Sequence, residues 1–240
     1  MQEIKELNNL LNKYVDEGFF PGIQWQININ NKQYSGKYGF NNIETKEDVY
    51  ENSIYRIWSM TKPIVAVVAL KLIEQNKINF NDPINKYLPE FNNLKVINKE
   101  NGNINDVRKL INIPNIKDLL LHTAGFSYNM LDDPIGLEYE KIKLFHSDST
   151  SLEEEIKKLA KIPLLFEPKT KWRYSVSMDV LGRIIEIVKN NSLQNILQEE
   201  IFNPLEMHET NFSIPKNSEY RLMESYAYDT SKSELINYYP

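Results

Sequence analysis

The sequence predicts an α/β part followed by a mainly helical lobe, and three observations predict it. "GIQWQININ" alternates apolar and polar residues, the period of a half-buried strand. "PIVAVVALKLI" is apolar on nearly every side, the pattern of a buried helix. Beyond residue 115, short apolar stretches repeatedly follow serines placed as helix caps.

Each element follows in order. Leu7, Leu10, Leu11, Tyr14 and Val15 recur at helical spacing within residues 3–17, and Gly18 closes the helix. Ile23, Trp25, Ile27 and Ile29 then share one face of a strand, with Gln24, Gln26 and Asn28 on the other. Asn30 and Asn31 suit a tight turn, so "KQYSGKYGF" is the return strand of a hairpin. Val49 to Ile57 is extended. Ile64 to Ile73 is the buried helix, with Lys71 its only polar residue and Asn76 its stop. Pro63 fits only the first turn, so that helix starts near Ser59. Asp82 and Pro83 open a short helix as cap and first residue.

Residues 92–115 are asparagine-rich and irregular, a passage into the second lobe. The division expected is therefore 1–91 for the α/β part and 92–240 for the helical lobe. In the latter, 116–121 is a short helix, and Ser151 with Glu154 forms a capping box for 152–160. Ser177 is read as the cap of 178–189, and Ser192 as the cap of 193–202, stopped by Pro204. From Ser213 to Pro240 the chain is polar, rich in tyrosine and without a clear pattern.

Composition narrows the function. The 240 residues are 41% hydrophobic and 25% charged, enough for a folded core. Twenty-eight basic against 33 acidic residues leave a net charge of −5, which gives no reason to expect nucleic acid or an anionic membrane as partner. With no cysteine, disulfides, thiolate chemistry and cysteine-held metals are excluded. The amino terminus is charged throughout and shows no apolar leader, so a cytoplasmic location is expected. No stretch reaches the roughly 18 apolar residues of a membrane span. His122, His146 and His208 lack metal-ligand spacing, and no cofactor is expected. His122 in "HTAG" reads as a structural loop residue, and Trp25, Trp58 and Trp172 as either core or pocket wall.

Chemistry enters at "YRIWSMTKP". Ser59 and Lys62 stand three apart at a helix start, so their side chains share a face. A lysine leading an apolar helix is desolvated, which disfavours its ammonium form and lets it take a proton from a hydroxyl. The bland alternative is a helix cap beside a lysine that snorkels to solvent. Ser213 and Lys216 match the same S-x-x-K spacing in a polar segment interrupted by Pro215, and count as noise.

The run "YRIWSMTKPIVAVVALKLIEQNKINFNDPINKYLPEF", with "IKDLLLHTAGF", "FEPKTKWRYSVSMDVLGRIIEIV" and "IFNPLEMHETNF", resembles the serine β-lactamase and penicillin-binding-protein superfamily, in its class C-like and esterase branch. The resemblance implies a serine β-lactamase-like fold, an α/β part plus an all-α lobe. It implies Ser59 as the acylated nucleophile, Lys62 as its general base, and Tyr174 as the tyrosine sharing proton transfer. A phenol near an ammonium has its pKa lowered, which fits that role.

The departures are informative. Val176 occupies the place of the asparagine that helps hold an amide substrate in β-lactamases, which favours esters over β-lactams. Lys169 replaces the usual glycine of "FEPG", a change expected to alter the loop ahead of Tyr174. No KTG-like or H-x-G third motif occurs before Pro240, so an incomplete sheet lacking C-terminal strands, and a fragment or shortened homologue, are expected. The expected function is a serine hydrolase acting through an acyl-enzyme on a small carboxylic ester, or another small-molecule ester or amide. The rivals are a β-lactamase or D-alanyl-D-alanine peptidase, and a catalytically silent binding module. Oligomeric state is left open.

Overall fold

The computed structural model describes residues 2–146 and 150–238. Its elements are helix α1 (Gln2–Asp16), strands β1 (Gly22–Ile29), β2 (Lys32–Asn42) and β3 (Glu47–Asp48), helix α2 (Thr61–Glu74), strands β4 (Lys95–Ile97) and β5 (Val107–Lys109), helices α3 (Ile116–Leu120), α4 (Pro134–Lys141), α5 (Leu152–Leu159), α6 (Ser177–Lys189) and α7 (Leu193–Leu197), and strands β6 (Tyr226–Asp229) and β7 (Glu234–Asn237). They form two compact units, Met1–Trp58 with Ser213–Pro240, and Ser59–Phe212.

The first unit carries an antiparallel sheet in the order β1-β2-β3, with α1 packed on β1 and β2. Asn30 and Asn31 both adopt positive φ, 49° and 61°, as a two-residue hairpin turn requires, and this fixes Ile29 opposite Lys32. Trp25 lies opposite Gly36, where a Cβ would fall 2.6 Å from the indole nitrogen; that nitrogen donates instead to Asn8 Oδ1 at 3.2 Å.

The carboxyl-terminal stretch is not the patternless tail read from sequence. β6 and β7 pair as an antiparallel hairpin from Tyr226 opposite Asn237 to Asp229 opposite Glu234. The stretch also returns to the first unit: Leu222 bridges Ile54, Arg221 Nε donates to the Asn52 carbonyl at 2.7 Å, and the Tyr226 hydroxyl accepts the Ile43 amide at 2.9 Å. These long-range bonds are why the units do not divide at residue 91. Local composition marks a linker at 92–115, but the backbone pairing closes over a far larger separation.

The second unit is mainly helical, with β4 and β5 as a small hairpin inside the segment read as irregular. The Ser151–Glu154 capping box and the Ser192 cap both form. Ser177 does not cap α6. Val176 stands at the cap, and the Ser177 hydroxyl turns to Ser175 Oγ at 2.7 Å. Asp82 likewise does not open a helix; it accepts the Asn79 amide at 2.8 Å, and a single 3₁₀ turn, Ile84–Lys86, follows.

α2 corrects the expectation of a helix buried on most sides. Val65, Val68, Ala69 and Leu72 are buried where α6 and α7 pack, whereas Val67 and Leu70 are 46% and 47% exposed. Lys71, the polar residue within its apolar run, has a partner: Lys71 Nζ lies 2.6 Å from Glu200 Oε2, and Lys189 Nζ 2.6 Å from Glu200 Oε1. Bonds from Lys189 and then Lys71 hold the Glu200 carboxyl down at about 2. Among the described residues, no helix is long and apolar enough to cross a membrane.

Two stability tests follow. Leu72→Ala removes a side chain only 2% exposed and is expected to cost about 2–5 kcal/mol in urea unfolding; Leu70→Ala, on the open face of the same helix, is expected to cost less than about 1 kcal/mol. Glu200 ionises more readily folded than unfolded, so its contribution is present above the ordinary 4.5 and is lost as pH falls toward about 2. Glu200→Gln should therefore lower stability by about 2 kcal/mol at pH 7, with the gap to wild type closing as unfolding is repeated through that acid range.

Candidate active site

Ser59 lies in the 3₁₀ turn Trp58–Met60 that leads into α2, and Lys62 is in the first turn of α2 itself. Trp58, just before the serine, has φ +47°, a strained backbone for a bulky residue. The turn brings Lys62 Nζ within 3.2 Å of Ser59 Oγ, to which it donates. The Tyr174 hydroxyl, 115 positions away in the chain, sits 2.5 Å from the same oxygen. The three residues singled out in the sequence thus meet at one atom.

Two aromatic rings enclose the amine. Lys62 Nζ lies 4.8 Å from the Tyr174 ring centroid and 5.4 Å from that of Tyr128, and the two rings contact each other at 5.2 Å. Such faces attract a cation through the ring quadrupole.

Asp133 fixes the segments that carry both tyrosines. Its Oδ1 caps α4 by accepting the amides of Ile135 and Gly136. Its Oδ2 accepts Ser127 Oγ at 2.6 Å and an Arg173 guanidinium nitrogen at 2.6 Å. Ser127 precedes Tyr128 and Arg173 precedes Tyr174, so one buried carboxylate sets the spacing of the two rings. The Val176 amide adds a second tie, donating to the Ser127 carbonyl at 3.1 Å. Gly125 is required nearby: at φ +92° a Cβ would stand 2.3 Å from the Phe166 carbonyl oxygen.

The electrostatics are set by partial burial. Burial pushes the Asp179 carboxyl, in the first turn of α6, up to about 6, against the pull of Lys62. Burial raises Tyr128, again opposed by Lys62. Burial and then the Lys62 charge push the His122 imidazole below its ordinary value.

Several sequence readings change. Val176 is 2% exposed and packs into the hydrophobic core, so its side chain offers no polar group to the site. Lys169 keeps a glycine-like backbone at φ +71°, with its amide bonded to the Thr123 carbonyl at 2.8 Å; the loop holds its turn at the cost of a strained lysine. Trp172 is 68% exposed and Trp58 52% exposed, so neither is core. His122 is not merely a loop residue, since its ring stacks on Tyr174 with centroids 5.2 Å apart. The sequence does not single out Tyr128, Asp133 or Asp179. Tyr128 stands two residues past "HTAGF", and an aromatic there was the available signal; Asp133 and Asp179 show only as ordinary polar residues around a helix start.

Residues 7–236 match the model of the Beta-lactamase family. Protein Rv1367c of Mycobacterium tuberculosis is 28% identical over 192 residues, which cover 80% of this chain and 47% of that protein. Esterase EstB of Burkholderia gladioli is 29% identical over 184 residues, 75% of this chain and 43% of the esterase. Of solved structures, EstCE1, described as a hydrolase with promiscuous acyltransferase activity, superposes with a TM-score of 0.81 at 26% identity, covering 99% of this chain and 60% of its own. The chain thus spans about half the length of the curated relatives it matches. A match over nearly all its residues, together with that superposition, shows that the chain has the serine β-lactamase-like fold and belongs to the Beta-lactamase family.

Proposed function

We propose that the protein is a serine hydrolase that cleaves a small carboxylic ester through an acyl-enzyme on Ser59. The observation that carries this reading is the meeting of Lys62 Nζ and the Tyr174 hydroxyl on Ser59 Oγ, at 3.2 Å and 2.5 Å. A hydroxyl is a weak nucleophile until a neighbouring group takes its proton, and an amine and a phenol in contact with it supply two adjacent sites for that proton.

In the first step Ser59 Oγ bonds to the ester carbonyl carbon while its proton passes to the Lys62–Tyr174 pair. The negative charge on the carbonyl oxygen is met by amides at the start of α2, where the helix dipole favours an anion. The tetrahedral adduct then collapses, the C–O bond to the alcohol breaks, and the alkoxide leaves with the proton the pair holds. A water molecule, deprotonated by the same pair, attacks the Ser59 ester. The carboxylic acid departs and Ser59 Oγ regains its proton.

The name of EstB supports an ester over an amide as substrate, and the place of Val176 supports it independently. With that side chain buried, the position that carries an amide group in β-lactamases contributes nothing polar here. A β-lactam or D-alanyl-D-alanine substrate would lack that contact.

A fluorophosphonate probe tests the nucleophile. Labelling of the folded wild type is expected to map to the Ser59 peptide and to vanish in Ser59→Ala; a folded chain that takes no label would make it a silent module. Turnover of p-nitrophenyl butyrate is expected to exceed that of a chromogenic penicillin by more than about tenfold, a modest transition-state preference of over 1.4 kcal/mol. Faster penicillin hydrolysis would overturn the ester reading.

A further inference from the structure

His122 holds three successive residues of the segment that carries Tyr174. Its carbonyl oxygen accepts the Arg173 amide at 2.9 Å, its ring stacks on Tyr174 at an interplanar angle of 25°, and its Nδ1 accepts the Ser175 amide at 3.2 Å. A backbone amide can only donate, so Nδ1 presents its lone pair and the ring is neutral, with its proton on Nε2. Ser175 Oγ, 3.1 Å from the same nitrogen, is also 2.7 Å from Ser177 Oγ, which ties this contact to the start of α6.

The backbone of His122 is shaped for the task. At φ +55° it follows α3 in the left-handed region, where most side chains are disfavoured, and its amide donates to the Leu119 carbonyl at 3.2 Å. The next residue, Thr123, accepts the Lys169 amide and donates its own amide to the Asp118 carbonyl, so both ends of the turn are fixed.

We propose that His122 is a positioning residue for Tyr174, and that it works only as the neutral Nε2–H imidazole. A second proton would place an N–H at Nδ1 against the Ser175 N–H, removing the acceptor and setting two donors face to face. The segment then loosens and the Tyr174 hydroxyl leaves Ser59 Oγ. The charged and titratable groups around the ring act in different ways. Lys62 of α2 opposes a second positive charge. Arg173 is bound to Asp133, and Lys169 Nζ lies 3.9 Å from the Asp118 carboxylate. Tyr128 contacts the Tyr174 ring, and Asp179 of α6 interacts with Lys62 and Tyr128. The consequence for catalysis rests on the proposed part of Tyr174 in proton transfer; the clamp itself does not.

Nitrogen-15 NMR of the whole chain tests the clamp without reference to activity, with the His122 signals assigned by their loss in His122→Asn. The expected result is an unprotonated Nδ1 and a protonated Nε2 at pH 7, titrating below the ordinary 6.5, with Tyr174 ring resonances moving at the same midpoint. A proton on Nδ1 at pH 7, or Tyr174 resonances indifferent to that titration, overturns the proposal. The rate of fluorophosphonate labelling of Ser59 reads the consequence. His122→Ala, which loses ring and acceptor, is expected to label about a hundredfold more slowly. His122→Asn keeps an acceptor oxygen and tolerates the left-handed backbone, and is expected to recover part of that loss at unchanged unfolding midpoint. Wild-type labelling in both variants overturns the positioning role. A wild type that takes no label at Ser59 overturns the proposed function instead, and the NMR result still decides the clamp.

Discussion

The proposed chemistry depends on one hydroxyl contact made across 115 positions of sequence, Ser59 Oγ to the Tyr174 hydroxyl at 2.5 Å. A contact between side chains from segments so far apart in the chain needs both backbones held in place. On one side the fixing comes from α2, whose buried residues Val65, Val68, Ala69 and Leu72 hold the helix that Ser59 leads. On the other it comes from backbone bonds to Arg173, Ser175 and Val176, made by His122 and Ser127.

The polar network behind the site explains why a chain of this composition buries charge there. Asp133 accepts two amides, a hydroxyl and a guanidinium, so a buried carboxylate is satisfied rather than stranded. That network and the His122 clamp converge on the same few residues around Tyr174. Partial burial has a second effect, in that it raises Asp179 and lowers His122, moving both toward their neutral forms around the Lys62 amine. Both groups surround the Lys62 amine, which lies between two tyrosine rings.

Much of this was legible in the sequence where the signal is local. The hairpin turn at Asn30 and Asn31, the capping box of Ser151 and the stop at Asn76 rest on the preference of single residues for one backbone state, and each formed. The contact between Ser59 and Lys62 was legible for the same reason, since three-residue spacing at a helix start fixes a shared face. What was not legible depends on distant partners. Nothing near Ser213–Pro240 announces a hairpin, because its anchors, Ile43, Asn52 and Ile54, lie over 160 positions away. The apolar run of α2 says that the helix has partners, but not that its Val67 and Leu70 face stays open among the described residues. Val176 reads as a substrate-facing position by analogy and is core in fact, and Asp133 looks like any helix cap until Arg173 and Ser127 arrive on it.

The central claim is that Lys62 and Tyr174 act as one proton-transfer unit on Ser59, and a double-mutant cycle measures that most directly. Acylation of Ser59 by p-nitrophenyl butyrate would be followed in Lys62→Met, in Tyr174→Phe and in the double variant, each checked for unchanged folding. Groups that act together are strongly non-additive, so the double variant is predicted to lose about as much rate as the worse single one. Losses that simply add in free energy, or a Tyr174→Phe variant that acylates at the wild-type rate, would contradict the account.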